Sequence, residues 1–239
     1  MPDGKPHPAA RPQGRLVLVA TPIGNLGDVT PRAAAALRDA DVVAAEDTRR
    51  TGRLLQALHI DARGRLVSLF EHNEARRTPE LVARMTRDHA DVVLVSDAGT
   101  PAISDPGHVL VREAIAAGIE VVVVPGPCAA IAALAGSGLP TDRFLFVGFP
   151  PRKKGRARWM AGLADERGSV VLYESPLRLG RTLRDLAGAL GGERPAAVAR
   201  ELTKLHEEFV RGTLTSLAAR YADRPPKGEV VVVVGGRTE

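Results

Sequence analysis

Glu46-Asp47-Thr48-Arg49-Arg50 and Ser96-Asp97-Ala98-Gly99-Thr100-Pro101 each follow a short run of small apolar residues. Each gathers acids, hydroxyls and cations where a polar ligand could be held. Two more loops of this kind are Thr21-Pro22-Ile23-Gly24-Asn25-Leu26-Gly27-Asp28 and Pro125-Gly126-Pro127-Cys128-Ala129. Glycine in such loops lets the backbone approach a ligand closely, and proline fixes the chain without requiring a hydrogen-bond partner for its nitrogen. Carboxylates beside backbone carbonyls suit ribose hydroxyls, an amine or a positive centre. Glu46 and Asp97 read as functional. Asp47 precedes a helical stretch and serves equally well as its cap, and Asp105, directly before Pro106, reads as a cap. Arg49 and Arg50 are placed to hold a phosphate.

The familiar nucleotide, metal and nucleophile signatures are missing. The chain has no G-x-x-x-x-G-K-[ST], no G-x-G-x-x-G and no G-x-S-x-G. Gly24-Asn25-Leu26-Gly27 carries no basic residue inside its G-x-x-G spacing, unlike a KH clamp. His206-Glu207-Glu208-Phe209-Val210 starts like a zincin helix, but Val210 stands where the second ligand belongs. No metal site is expected. Cys128 is the one cysteine, which excludes an internal disulfide; it reads as a small packing residue in a tight loop.

The elements that must position these loops follow from hydropathy. Val/Leu/Ile-rich runs predict strands at 16–20, 41–45, 65–69, 91–95 and 120–124, then at 143–148, 169–173, 195–200 and 229–234, with amphipathic stretches between them. Thr30-Pro31, Thr78-Pro79, Asp105-Pro106 and Ser175-Pro176 predict helix starts, and Gly118 and Gly188 or Gly191 predict ends. The alternation is that of an α/β protein with a mainly parallel sheet. All four loops then leave the carboxyl edge of that sheet, where open α/β sheets bind ligands. Gly138-Leu139-Pro140-Thr141-Asp142 marks a boundary, giving a tail at 1–14, a first α/β domain at 15–139 and a second at 140–239. A ligand is expected in the cleft they share.

The 239 residues carry a net charge of +5 and a hydrophobic share of 44%, values of a globular chain rather than a disordered one. No apolar run approaches the roughly 20 residues that cross a bilayer, and the N-terminal stretch lacks the apolar segment of a signal peptide. A cytoplasmic protein that does not enter membranes is expected. The basic balance, with Arg152-Lys153-Lys154-Gly155-Arg156-Ala157-Arg158 as its densest stretch, suits a nucleic-acid partner. Aromatics make up only 3%, so phosphate contacts rather than base stacking would carry that binding.

Six ordered motifs, spread from about Gly14 to Val234, resemble one family: Ala20-Thr21-Pro22-Ile23-Gly24-Asn25-Leu26, Ala45-Glu46-Asp47-Thr48-Arg49, Ser96-Asp97-Ala98-Gly99-Thr100-Pro101, Pro125-Gly126-Pro127-Cys128-Ala129, Arg200-Glu201-Leu202-Thr203-Lys204 and Lys227-Gly228-Glu229. The resemblance is to the small-subunit ribosomal RNA methyltransferases of the tetrapyrrole methylase superfamily. It implies two α/β domains with an interdomain cofactor cleft, S-adenosyl-L-methionine as methyl donor, a homodimer, and 2′-O-methylation of a cytidine ribose in the decoding region of 16S rRNA, on the RNA or the small ribosomal subunit. By the same resemblance Asp97, Gly99, Thr100 and Ile103 line the cofactor, as do Cys128 and Ala129, with Pro22, Tyr173, Lys227 and Gly228 contributing from either side. Glu46 and Asp47 are the candidate bases, with Arg49 beside them and Arg200 and Lys204 as RNA-positioning or structural partners. Leu177 stands where relatives often carry histidine. Relatives also commonly continue past the Lys-Gly-Glu strand, which shifts the expected RNA contact towards residues 152–158. Two other readings share these features: methylation of a tetrapyrrole or another small acceptor, and a non-catalytic RNA-binding factor. Cofactor affinity and acceptor preference separate the three.

Overall fold

The computed structural model describes residues 13–237. Residues 1–12 of the expected tail lie outside them. The described chain forms two compact units, one of residues up to Pro22 with Leu26–Pro127, the other of Ile23–Asn25 with Cys128 onward.

In the first unit, strands β1 (Leu16–Val19), β2 (Val42–Ala45), β3 (Leu66–Ser68), β4 (Val92–Val95) and β5 (Val121–Val124) form a sheet in the order β3-β2-β4-β1-β5. All its pairings are parallel; Leu16, for example, pairs with both Val92 and Val121. Helices α1 (Pro31–Asp39), α2 (Thr48–Ala57), α3 (Glu74–Arg87) and α4 (His108–Ala116) connect the strands. Alternate residues of each central strand pack on opposite sides. Val17, Val43 and Val93 meet Leu37 of α1 and Leu55 of α2, whereas Leu16, Val92 and Leu94 meet Leu81 and Met85 of α3 and Leu110 of α4. Burial on both faces explains why β1, β2 and β4 read as continuous apolar runs without a polar alternate.

The second unit holds α5 (Ala129–Ser137), β6 (Phe144–Phe146), α6 (Arg156–Ala161), β7 (Ser169–Glu174), α7 (Leu179–Leu190), β8 (Pro195–Arg200), β9 (Glu208–Thr213), α8 (Leu214–Arg220) and β10 (Val230–Val234). Its sheet runs β6-β7-β10-β8-β9, with β6 and β7 parallel and the other pairs antiparallel. On one face Val170, Leu172 and Val232 pack with Leu179, Leu183 and Leu186 of α7 and with Leu214 and Leu217 of α8. On the other, Val171, Ala199 and Val231 pack with Ala130, Ala133 and Leu134 of α5. The expected boundary at 139/140 would assign α5 to the first unit; its apolar face instead closes the second core.

Several local expectations change. Thr78-Pro79 does not open a helix, because α3 has already begun at Glu74, where Asn73 Oδ1 accepts the Phe70 N–H at 2.8 Å. Pro79 removes one interior hydrogen bond from a helix that its buried face holds in place. The 206–210 segment is no helix: Glu208–Thr213 is edge strand β9, paired along its length with β8. Gly136 of α5 makes room for its Phe209, whose ring a Cβ at that glycine would meet at 2.4 Å. Thr30 caps α1 as expected, its Oγ1 accepting from Ala33 N–H at 3.1 Å, and Pro31 is the first helical residue. Asp105 does not cap α4, for reasons given below.

Candidate active site

The loops after β2 and β4 bring three carboxylates together at the carboxyl edge of the first sheet. Asp97 Oδ1 accepts the Asp47 backbone N–H at 3.0 Å, and its other oxygen pairs with Arg50 Nη1 at 3.3 Å. Asp105 faces Glu46 and Asp97 and is hydrogen-bonded by the Ser96 hydroxyl. Burial pushes the Asp105 carboxyl up to about 6, and the charges of Glu46 and Asp97 add to that against the Ser96 bond. Burial likewise raises Glu46, helped by the Asp97 charge, while the Asp97 backbone N–H and Arg50 pull it back.

Asp47 differs from its neighbour. Its Oδ1 caps α2, accepting from Arg49 N–H at 2.8 Å and Arg50 N–H at 3.4 Å. Those bonds hold its carboxyl below the ordinary aspartate range, so it is the weaker proton acceptor of the pair. Arg49 is exposed and gives Asp47 its backbone N–H, whereas the guanidinium that pairs with Asp97 belongs to Arg50.

The 96–107 loop is pinned at its start. Thr21 and Gly99 exchange both backbone hydrogen bonds, at 2.9 and 3.0 Å, and Thr21 Oγ1 donates to the Ser96 carbonyl at 3.1 Å. Thr100 Oγ1 donates to the Pro127 carbonyl at 3.1 Å, which ties this loop to the one after β5. Pro22 is half-buried next to the bridged Thr21, and Ile103 is exposed. Ala102 and Ser104 hold φ of 67° and 62°, a strained choice for residues with a Cβ.

In the second unit Cys128, Ala129 and Tyr173 pack together beside α5, and the Ala130 N–H donates to Tyr173 Oη at 3.3 Å. Phe146 and Phe149 flank the Tyr173 ring at 5.0 and 5.5 Å. Cys128 is half-buried against this apolar cluster, as expected of a packing residue. Lys227 and Gly228 precede β10. The Lys227 carbonyl accepts from Arg200 at 3.2 Å, and Gly228 has φ +89° where a Cβ would strike the Glu201 carboxylate. Lys204 bridges Glu201 at 2.9 Å and Glu229 at 2.8 Å and lies across Gly24. Of the basic 152–158 stretch, Arg156 is buried: it bonds Asp185 at 2.7 Å, Thr182 at 2.8 Å and the Pro151 carbonyl at 3.0 Å. The surface cations of that stretch are therefore Arg152, Lys153, Lys154 and Arg158.

Thus the structure brings Glu46, Asp47, Asp97, Gly99 and Thr100 to one edge of the first unit, and Cys128, Ala129 and Tyr173 to one cluster of the second. Sequence reasoning missed Arg50 as the partner of Asp97 and read Asp105 as a cap. The Asp-Pro pair has a capping signature; only the glycine at 107 hinted that the helix starts later.

The chain belongs to the family described as Tetrapyrrole (Corrin/Porphyrin) Methylases, whose model it matches over residues 15–218. It is similar to the ribosomal RNA small subunit methyltransferase I of Mycobacterium bovis, with 54% identity over 224 residues, 93% of this chain and 78% of that one. Its similarity to the protein of the same name from Thermotoga maritima is 45% over 224 residues, 94% of this chain and 99% of the other. Among solved structures it is similar to uroporphyrin-III-C-methyltransferase from Thermus thermophilus, with a TM-score of 0.63, 26% identity and coverage of 93% and 94%. A structure of that enzyme complexed with S-adenyl homocysteine matches with a TM-score of 0.62, 23% identity and coverage of 93% and 97%. The family and the α/β, tetrapyrrole-methylase type of fold read from the motifs are borne out.

Proposed function

We propose that this protein is an S-adenosyl-L-methionine-dependent methyltransferase acting on the 2′-oxygen of a cytidine ribose in the decoding region of 16S rRNA, presented as RNA or as the small ribosomal subunit. The observation that carries the reading is the group of Glu46, Asp97 and Asp105 at the carboxyl edge of a parallel sheet, with Glu46 raised above the ordinary range of a glutamate. The names of the relatives support the acceptor class.

The donor set fits the cofactor. Carboxylates match ribose hydroxyls and positive charge, and the pinned Gly-Thr-Pro and Pro-Gly-Pro loops offer backbone groups with little bulk. By the family resemblance, Asp97, Gly99, Thr100, Ile103 and Pro22 are assigned to hold it, as are Cys128, Ala129, Tyr173, Lys227 and Gly228. When bound, the cofactor supplies an electrophilic methyl group on a sulfonium. Ionised Glu46 accepts the proton that the 2′-hydroxyl gives up as its oxygen takes that methyl. Raising the carboxyl makes it the stronger base for this task. Asp97 fixes the start of α2 through the Asp47 N–H and holds Arg50 in place. Alignment of the two partners supplies most of the remaining acceleration. Arg49 and the exposed cations of 152–158 are assigned to phosphate contacts, and Lys204 and Arg200 to the scaffold that carries Gly24 and Lys227. The homodimer implied by the family resemblance and the cytoplasmic location expected from the composition belong to the same reading, and sedimentation of the purified chain tests the former.

Transfer of labelled methyl from S-adenosyl-L-methionine to unmodified small subunits, naked ribosomal RNA and a tetrapyrrole tests the assignment. Label on a ribose 2′-oxygen of the subunit or its RNA is the expected result. Label on the tetrapyrrole alone, or no binding of cofactor, would overturn it.

A further inference from the structure

Glu74 lies outside every motif singled out in the sequence, yet its carboxylate reaches from α3 to the end of the 96–107 loop. Helix α4 opens at Gly107, which has φ +127° and whose Cβ, were there one, would fall 2.6 Å from Leu94 Cδ2. That position cannot carry a capping side chain, while the first turn of a helix leaves N–H groups without partners. Glu74 Oε1 accepts three of them: Gly107 at 3.0 Å, Val109 at 2.8 Å and Leu110 at 3.3 Å. Glu74 is only 8% exposed, so this carboxylate is a buried cap delivered from another helix.

We propose that Glu74 is a positioning residue for the reaction: it closes the 99–107 loop from its C-terminal side, as the Thr21–Gly99 bridge closes it from the other, and so sets Thr100, Ile103 and Asp105 in place. The inference rests on the reading of Thr100 and Ile103 as cofactor residues. Ala102 and Ser104 hold strained backbone angles between the two anchors, and such angles persist only where the surroundings fix both ends. The Ala102 N–H also donates to the Pro106 carbonyl at 3.2 Å, so displacement of Gly107 is transmitted directly into the strained turn. Without Glu74, three donors, those of Gly107 and Leu110 buried, lose their acceptor and the turn relaxes towards ordinary angles. That moves Ile103 and Asp105 together.

The test compares Glu74→Ala, Glu74→Asp and Glu74→Gln with Met85→Ala, a fully buried position on the same helix. Cofactor affinity is measured by calorimetry, amide exchange is followed across residues 99–110, and KM for S-adenosyl-L-methionine is separated from kcat. Glu74→Ala and the shorter Glu74→Asp should weaken cofactor binding about tenfold or more, raise KM more than they lower kcat, and speed exchange at Gly107, Val109 and Leu110. Glu74→Gln keeps an acceptor oxygen and should stay within about threefold of the parent. Met85→Ala should lower global stability and leave cofactor affinity unchanged. Parent-like affinity and exchange in Glu74→Asp, or an equal loss of affinity in Met85→Ala, would overturn the proposal. Failure of the unmodified chain to bind the cofactor would instead break the functional reading, and the exchange comparison would still decide whether Glu74 holds the loop.

Discussion

Two charged clusters, one in each unit, are built in opposite ways. At the carboxyl edge of the first sheet, Arg50 pairs with Asp97 and pulls Glu46 down, Asp105 is bonded only by the Ser96 hydroxyl among the groups that act on it, and burial raises Glu46 and Asp105. In the second unit the acids around Lys204, Arg200 and Arg178 are matched. Lys204 spans Glu201 and Glu229, Arg200 meets Glu208, and buried Glu174 is held by Arg178 and the Thr182 hydroxyl. The Glu229 N–H and Lys204 hold the Glu201 carboxyl low, and bonds to the Glu229 and Glu201 carboxylates raise the Lys204 ammonium against the cost of its burial. Similar residue types thus do different work. An acid short of partners is poised to exchange a proton near neutral pH, whereas an acid closed into a pair fixes the backbone around it.

The contrast breaks most visibly if Glu46 loses its charge. Glu46→Gln should lower the methyl-transfer rate by ~10²–10⁴-fold, the range for loss of a general base, and leave cofactor affinity within about twofold. Single-turnover kinetics with calorimetry checks both halves. Gly107→Ala should destabilise the fold by about 2–4 kcal/mol, combining a left-handed backbone with a clash against Leu94, as read from urea denaturation. The pH dependence of stability sharpens the same comparison. Asp105 ionises at about 6 in the folded protein against an ordinary 3.8, so between those values the folded state binds more protons than the unfolded one. Stability should therefore fall as pH rises through that window, by ~1–2 kcal/mol after solvent screening, and Asp105→Asn should reduce the fall, what remains coming from Glu46. The smallest effect belongs to the second unit. Lys204→Met should cost about 1 kcal/mol in thermal stability and leave the acid limb of the rate profile where it was.

Much of this was legible in the sequence. The parallel sheet, the four loops on its carboxyl edge and the placing of Glu46 and Asp97 on that edge followed from apolar runs broken by Gly, Pro and acids. The hidden parts depended on distant neighbours. His206-Glu207-Glu208-Phe209-Val210 starts like a zincin helix until β8 supplies hydrogen bonds to the strand that begins at Glu208. Arg156 reads as one cation of a surface stretch, but Asp185 and Thr182 draw it into the core. Asp105 has the signature of a cap, and that role went to Glu74, more than thirty residues earlier, because Gly107 must stay without a side chain. Local signals report what a residue can do with its own backbone; they say nothing of a partner that reaches over from another helix.

The most direct test of the account is the acid limb of single-turnover methyl transfer to small ribosomal subunits, measured for the parent and for Asp97→Asn. Asp97→Asn deletes a neighbouring charge that raises Glu46 and keeps the backbone N–H that Glu46 accepts. The expected result is a limb above the ordinary glutamate value of 4.5 in the parent, shifted to lower pH in the variant. A limb that does not move, or one that survives in Glu46→Gln, would contradict the assignment of the proton to Glu46.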